Sequence, residues 1–142
     1  ARGVAVLHTI GRMDGPGGGN AWIEKYIFPG GTIPALSQLI AGVERSGLIL
    51  ADVEVLRLHY ADTLRAWTER FAARRDEARA LYDERFCRMW EFYLAGAEAG
   101  FREGDLTVYQ LQLAKHRATI PLTRDYITDI DRGHAGGRIA GE

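Results

Sequence analysis

The run Gly3-Val4-Ala5-Val6-Leu7-His8-Thr9-Ile10, apolar and rich in β-branched residues, narrows the choice of fold more than any other feature of this chain. A continuous apolar run of this length, ended by Gly11, predicts a strand buried on both faces, as in a parallel sheet covered by helices. Such a strand needs neighbours on either side. Only two more strands can be read downstream. Leu48 to Leu58 alternates partly between apolar and polar residues, and Thr107 to Lys115 sets Val108, Gln110 and Gln112 strictly against Tyr109, Leu111 and Leu113. Three strands are a thin inventory for an α/β domain. The chain also opens without Met, directly on a strand. Both features predict a piece of a longer protein.

Between the strands the spacing is helical. Leu36, Leu39, Ile40 and Val43 share a face, with Gly47 as the stop. Tyr60, Leu64, Trp67 and Phe71 form a second stripe. The charged segment Arg74 to Arg79 is expected to break it, with Asp76 as the cap. Phe86, Met89, Trp90, Tyr93, Leu94 and Ala97 continue an apolar stripe to Gly104. Arg12 to Asn20 holds four glycines and a proline and reads as a loop, Trp22 to Phe28 fits no class, and Pro29-Gly30-Gly31 is a turn. Residues 1–131 are expected to form one domain portion and 132–142 a flexible tail.

Composition removes several functions. Eighteen basic residues against nineteen acidic ones leave a net charge of -1, which does not suit a nucleic-acid binder. One cysteine, Cys87, makes no internal disulfide and fits a reducing cytosol, as an inert buried thiol. No apolar run approaches the roughly 20 residues that span a bilayer. The four histidines, His8, His59, His116 and His134, lack metal-ligand spacing. Gly15, Gly17 and Asn20 miss the third glycine of a dinucleotide fingerprint, so the loop reads as a flap or connector.

His8 stands at the carboxyl end of its strand, where ligand crevices of open α/β sheets lie. It either lines such a crevice or is a hydrogen-bonded core residue. His59-Tyr60 occupies a similar strand-to-helix junction. The aromatic residues Trp67, Phe71, Phe86, Trp90, Phe92 and Tyr93 read first as core and second as the wall of an acyl-chain tunnel. Arg70, Arg74, Arg75 and Arg79 are either a solvated face or a patch for anionic headgroups.

Longer patterns carry a resemblance. Leu7-His8-Thr9-Ile10-Gly11, then Trp22-Ile23-x-Lys25-Tyr26-Ile27-Phe28-Pro29-Gly30-Gly31 and Pro34-x-Leu36-Ser37-Gln38, are similar to the cyclopropane-fatty-acyl-phospholipid synthase and mycolic acid cyclopropane synthase family. So are His59-Tyr60-Ala61-x-Thr63-Leu64-x-Ala66-Trp67, Tyr82-x-Glu84-Arg85-Phe86-x-Arg88-Met89-Trp90, Phe101-Arg102 and Tyr109-Gln110-Leu111-Gln112-Leu113. The likeness covers roughly residues 4 to 127.

This resemblance implies the C-terminal part of a class I (Rossmann-like) S-adenosylmethionine-dependent methyltransferase fold, its last strand antiparallel. The three strands would be the fifth, sixth and seventh of that sheet, and the cofactor site would lie upstream of Ala1. The implied reaction adds a methylene from S-adenosylmethionine to the cis double bond of a phospholipid acyl chain, with bicarbonate as base. The implied bicarbonate pocket includes His8, Ile10 and Tyr60, with His8 and Tyr60 catalytic. Its glutamate and cysteine match nothing in this chain, and the chain alone is expected to be inactive. The implied partner is unsaturated phospholipid at the inner membrane face, approached from the cytoplasm. Two rival readings stand beside this one: a lipid C-methyltransferase of the same family, and a noncatalytic lipid-binding or assembly module. An unpaired sheet edge also predicts self-association into a homo-oligomer.

Overall fold

A computed structural model describes residues 3–136, with side chains described through 133. Three strands form one sheet: β1 (Val4–Arg12), β2 (Ile49–Val55) and β3 (Leu106–Ala114). Their spatial order is β1-β3-β2, and β3 runs antiparallel to both neighbours. The last strand therefore sits in the middle of the sheet, and the antiparallel orientation expected of it is observed. Six helices complete the described residues: α1 (Ala21–Tyr26), α2 (Leu36–Ser46), α3 (His59–Ala73), α4 (Arg75–Leu81), α5 (Glu84–Arg102) and α6 (Asp125–Gly136).

The strict alternation of β3 divides its side chains between two cores. Tyr109, Leu111 and Leu113 pack with Val43 and with the α2 stripe Leu36, Leu39 and Ile40. Val108 faces the other way, into a cluster of Ala61 and Leu64 from α3 and Tyr93, Leu94 and Phe101 from α5. The sheet is thus sandwiched between α2 and the α3–α5 pair. Gly47 ends α2 in the left-handed conformation (φ 71°) that glycine adopts without steric penalty.

Several expectations change on contact with the structure. The first strand runs through Gly11 to Arg12 instead of stopping at Gly11. Gly11 is there for space: a Cβ would lie within the envelope of the Tyr109 ring, and the backbone oxygen of Pro34 is close as well. β1 is also not buried on both faces. Val4 through His8 are exposed, because among the described residues nothing pairs with the outer edge of β1 or covers that half of it. Trp22 to Phe28, left unclassified by its sequence, contains α1, whose first turn is held by Asn20 accepting from the Trp22 and Ile23 N–H groups.

The stripe breaks at Arg74 as expected, but Asp76 is not the cap. It lies inside the first turn of α4 and pairs with Arg79, while Asp83 caps α5 by accepting from the Phe86 N–H at 2.6 Å. Phe92, expected in the core, is 64% exposed. Arg132 falls within α6, which continues to Gly136, so the expected start of the tail is helical; residues 137–142 lie outside the described part.

Candidate active site

Two-residue periodicity puts His8 and Ile10 on the same face of β1. That face is the one on which Ile10 packs against the α3–α5 cluster. Tyr60, in the first turn of α3, packs against the same cluster, its ring 5.0 Å from Phe101 and 5.9 Å from Trp67 between centroids. The three candidate residues therefore meet on one side of the sheet. Among the described residues no hydrogen bond links His8 or Ile10 to Tyr60, so they share a side without forming a closed constellation. Burial raises the pKa of the neighbouring Tyr93 hydroxyl, and Tyr60 adds to the effect.

The backbone of Ile10 points outward. The Val108 carbonyl accepts from the Leu56 N–H on the β2 side, so the polar groups of Val108 turn away from β1. Ile10, opposite Val108, is then a non-hydrogen-bonded pair whose own N–H faces the open edge of β1. Arg12, two residues on, follows the same rule and donates its N–H outward to Pro34 at 3.0 Å.

His8 stands opposite Gln110 in the register, and Gln110 Nε2 lies 3.1 Å from His8 Nδ1. An amide nitrogen can only donate, so Nδ1 accepts and the imidazole proton sits on Nε2. Sequence reasoning used Gln110 as evidence of alternation and within a family motif, not as a partner of His8. The missed signal was a pair of polar residues, Gln110 and Gln112, repeated on the helix-covered face of a central strand.

The same face continues as a polar row. Glu54 and Asp52 of β2 stand opposite Gln110 and Gln112. The segment after β3 crosses it: Arg124 pairs with Asp52 at 2.9 Å and reaches Glu54 at 3.9 Å, and the Tyr126 hydroxyl donates to Gln112 Oε1 at 2.6 Å. Of the four arginines read as a solvated face or a headgroup patch, two are held in ion pairs. Arg75 is held by Glu84 and Glu91 at 2.6 Å each, and Arg79 by Asp76 at 3.0 Å. Cys87 is buried, its sulfur facing the Arg75 carbonyl.

The glycine-rich loop does not turn tightly into a helix, and Asn20 already occupies the first free N–H groups of α1. Among the described residues no group of His, Cys, Asp and Glu is placed to hold a metal, and no helix is long and apolar enough to cross a membrane.

An antiparallel last strand inserted beside β1, with helices on both faces, defines the C-terminal part of a class I methyltransferase fold. The mycolic acid cyclopropane synthetase family model matches residues 1–111, and the chain belongs to that family. Among its relatives, tuberculostearic acid methyltransferase UfaA1 of Mycobacterium tuberculosis is 53% identical over 96 residues, covering 66% of this chain and 22% of that protein. The cyclopropane-fatty-acyl-phospholipid synthase of Escherichia coli is 36% identical over 113 residues, covering 80% and 29%. The crystal structure of mycolic acid cyclopropane synthase CmaA1, complexed with SAH and CTAB, superposes with a TM-score of 0.72 at 29% identity, covering 81% of this chain and 45% of that one. The chain thus spans less than a third of these two curated relatives and under half of the solved structure. Arg124 and Tyr126 lie beyond the residues matched by the family model.

Proposed function

We propose that this chain is the substrate-side and base-side part of an S-adenosylmethionine-dependent enzyme that adds a methylene to the cis double bond of an unsaturated phospholipid acyl chain. The carrying observation is that His8, Ile10 and Tyr60 lie on one side of the sheet, with the Ile10 N–H directed outward and His8 Nδ1 facing Gln110 Nε2. These groups suit a small planar oxyanion such as bicarbonate. Two N–H donors and a phenol can each point at an oxygen without themselves carrying charge. Bound there, bicarbonate would supply a base for the proton lost as the ring closes.

Each residue has a distinct task in this reading. His8 donates from Nε2 and is kept in that tautomer by Gln110, a positioning residue. Ile10 donates from the backbone. Tyr60 donates its hydroxyl and, through its ring, belongs to an apolar wall that excludes water and suits an acyl chain. S-adenosylmethionine would be held by residues other than those described, in keeping with the share of its relatives that this chain spans.

The 53% identity to an enzyme named for tuberculostearic acid favours a second product from the same chemistry, a methyl branch in place of a ring. One experiment addresses both. The full-length protein carrying these residues is incubated with S-adenosylmethionine labelled in its methyl group and vesicles of unsaturated phospholipid, and the acyl chains are analysed by mass spectrometry and proton NMR. Label in cyclopropyl positions supports the first product, and label in a branch supports the second. Lipids without label would refute the reading. His8→Ala and Tyr60→Phe are expected to lower turnover more than lipid binding.

A further inference from the structure

α1 and α5 enclose an open groove of about 450 Å³ lined by Trp22, Tyr26, Arg85, Arg88, Met89 and Phe92. The spacing that builds it is helical: Arg85, Arg88, Met89 and Phe92 lie at i, i+3, i+4 and i+7 on one face of α5. Trp22 and Tyr26 are one turn apart on α1, with ring centroids 5.6 Å from each other. Trp22 meets Phe92 edge-on at 4.9 Å. These large rings remain open to solvent, with Phe92 64% and Tyr26 40% exposed.

The charge around the groove is sorted. The two carboxylates of the adjoining α5 face, Glu84 and Glu91, are both bound by Arg75 from α4. Arg88 touches Glu84 only at 3.5 Å, and Arg85 makes no ion pair among the described residues. Lys25 adds a third cation, lying 5.0 Å from the centre of the Tyr26 ring. Glu24 of α1, exposed beside Lys25, offsets one of the three cations. Aromatic bodies rimmed by the remaining surplus of cations form an arrangement suited to a bilayer interface. There rings settle at headgroup depth and arginines meet phosphates.

We infer that the α1–α5 groove is a docking surface for an anionic phospholipid bilayer, with Arg85 and Arg88 on lipid phosphates and Trp22, Met89 and Phe92 against the upper acyl region. This rests on the proposed lipid substrate and adds the face by which the protein meets it. Trp22 also packs against the core cluster that Ile10 and Tyr60 join, so the docking face and the candidate site share one wall.

The test is vesicle co-sedimentation of the full-length protein, without S-adenosylmethionine, on vesicles of neutral phosphatidylcholine with or without anionic phosphatidylglycerol. Binding is expected to require the anionic lipid and to weaken with salt. Arg85→Gln with Arg88→Gln should weaken it at least about tenfold, from the contribution of each basic residue at such a surface. Brominated lipid should quench tryptophan fluorescence, and Trp22→Phe should reduce that quenching. The arginine exchanges are at the surface, so a folded double variant that binds as well as the parent overturns the inference. So does quenching that Trp22→Phe leaves unchanged. If the variants lose binding while no lipid is ever methylated, the docking face stands and the proposed reaction falls. If methylation proceeds and the variants bind normally, the reverse holds.

Discussion

Gln110 Nε2 lies 3.1 Å from His8 Nδ1, a side-chain link between adjacent strands whose partners are 102 positions apart in sequence. If this contact sets the tautomer of His8, its removal should be felt in catalysis and not in folding. Gln110→Leu is expected to lower turnover on the order of tenfold, in the range of an outer partner that orients a histidine. Gln110→Glu should move the acidic limb of the pH–rate profile upward, because a carboxylate favours the imidazolium and so delays the neutral form to higher pH. An unchanged profile in Gln110→Glu would remove Gln110 from this role.

Glu84 responds to acid through Arg75. The hydrogen bonds and charge of that guanidinium hold the Glu84 carboxylate below its ordinary range. A lowered folded-state value means stabilisation present above the unfolded carboxylate value of about 4.3 and lost as pH falls through the folded one. Melting temperature should therefore fall on acidification below about pH 5. Arg75→Met should flatten that dependence while lowering the melting temperature at neutral pH.

Gly11 admits no side chain against the Tyr109 ring. Gly11→Ala is expected to cost about 1–3 kcal/mol, the usual range for overpacking. Tyr109→Phe should cost only about 1 kcal/mol, by removing the 3.0 Å bond from its hydroxyl to the Arg12 carbonyl. Denaturant titration of the two variants checks the order, and equal losses would refute the steric account.

Thr107 is fully buried, and its hydroxyl has no hydrogen-bond partner among the described residues. Thr107→Val replaces that hydroxyl with a methyl of similar shape. It should leave stability unchanged or raise it by about 1 kcal/mol. A fall of similar size would indicate that the hydroxyl has a partner.

The residues most readable in the sequence were those whose partners are local or periodic. Gly47 had to end a helix, and the alternation of Thr107 to Lys115 had to make a strand with two unlike faces. What the sequence concealed were contacts between distant elements. Arg75 looked like one of several solvated arginines because Glu91 lies 16 positions on, in the helix that follows α4. Asp83 was overlooked as a cap because Asp76 is the first acidic residue after the break, and nothing local says that the chain re-enters a helix at Arg75. His8, Ile10 and Tyr60 were named from motifs, and their placement on one side of the sheet depends on a pairing that no local pattern encodes. Gln110 was visible as a polar residue on a central strand but lacked its meaning without His8 opposite.

The place of β3 in the sheet also imposes an order of events on synthesis. Among the described residues β1 and β2 each pair only with β3, the last of the three strands in chain order. On the ribosome neither pairing can form until β3 has been made. The contacts between α3 and α5 are local and are available earlier. The helical pair is therefore expected to assemble before these two strand pairings close.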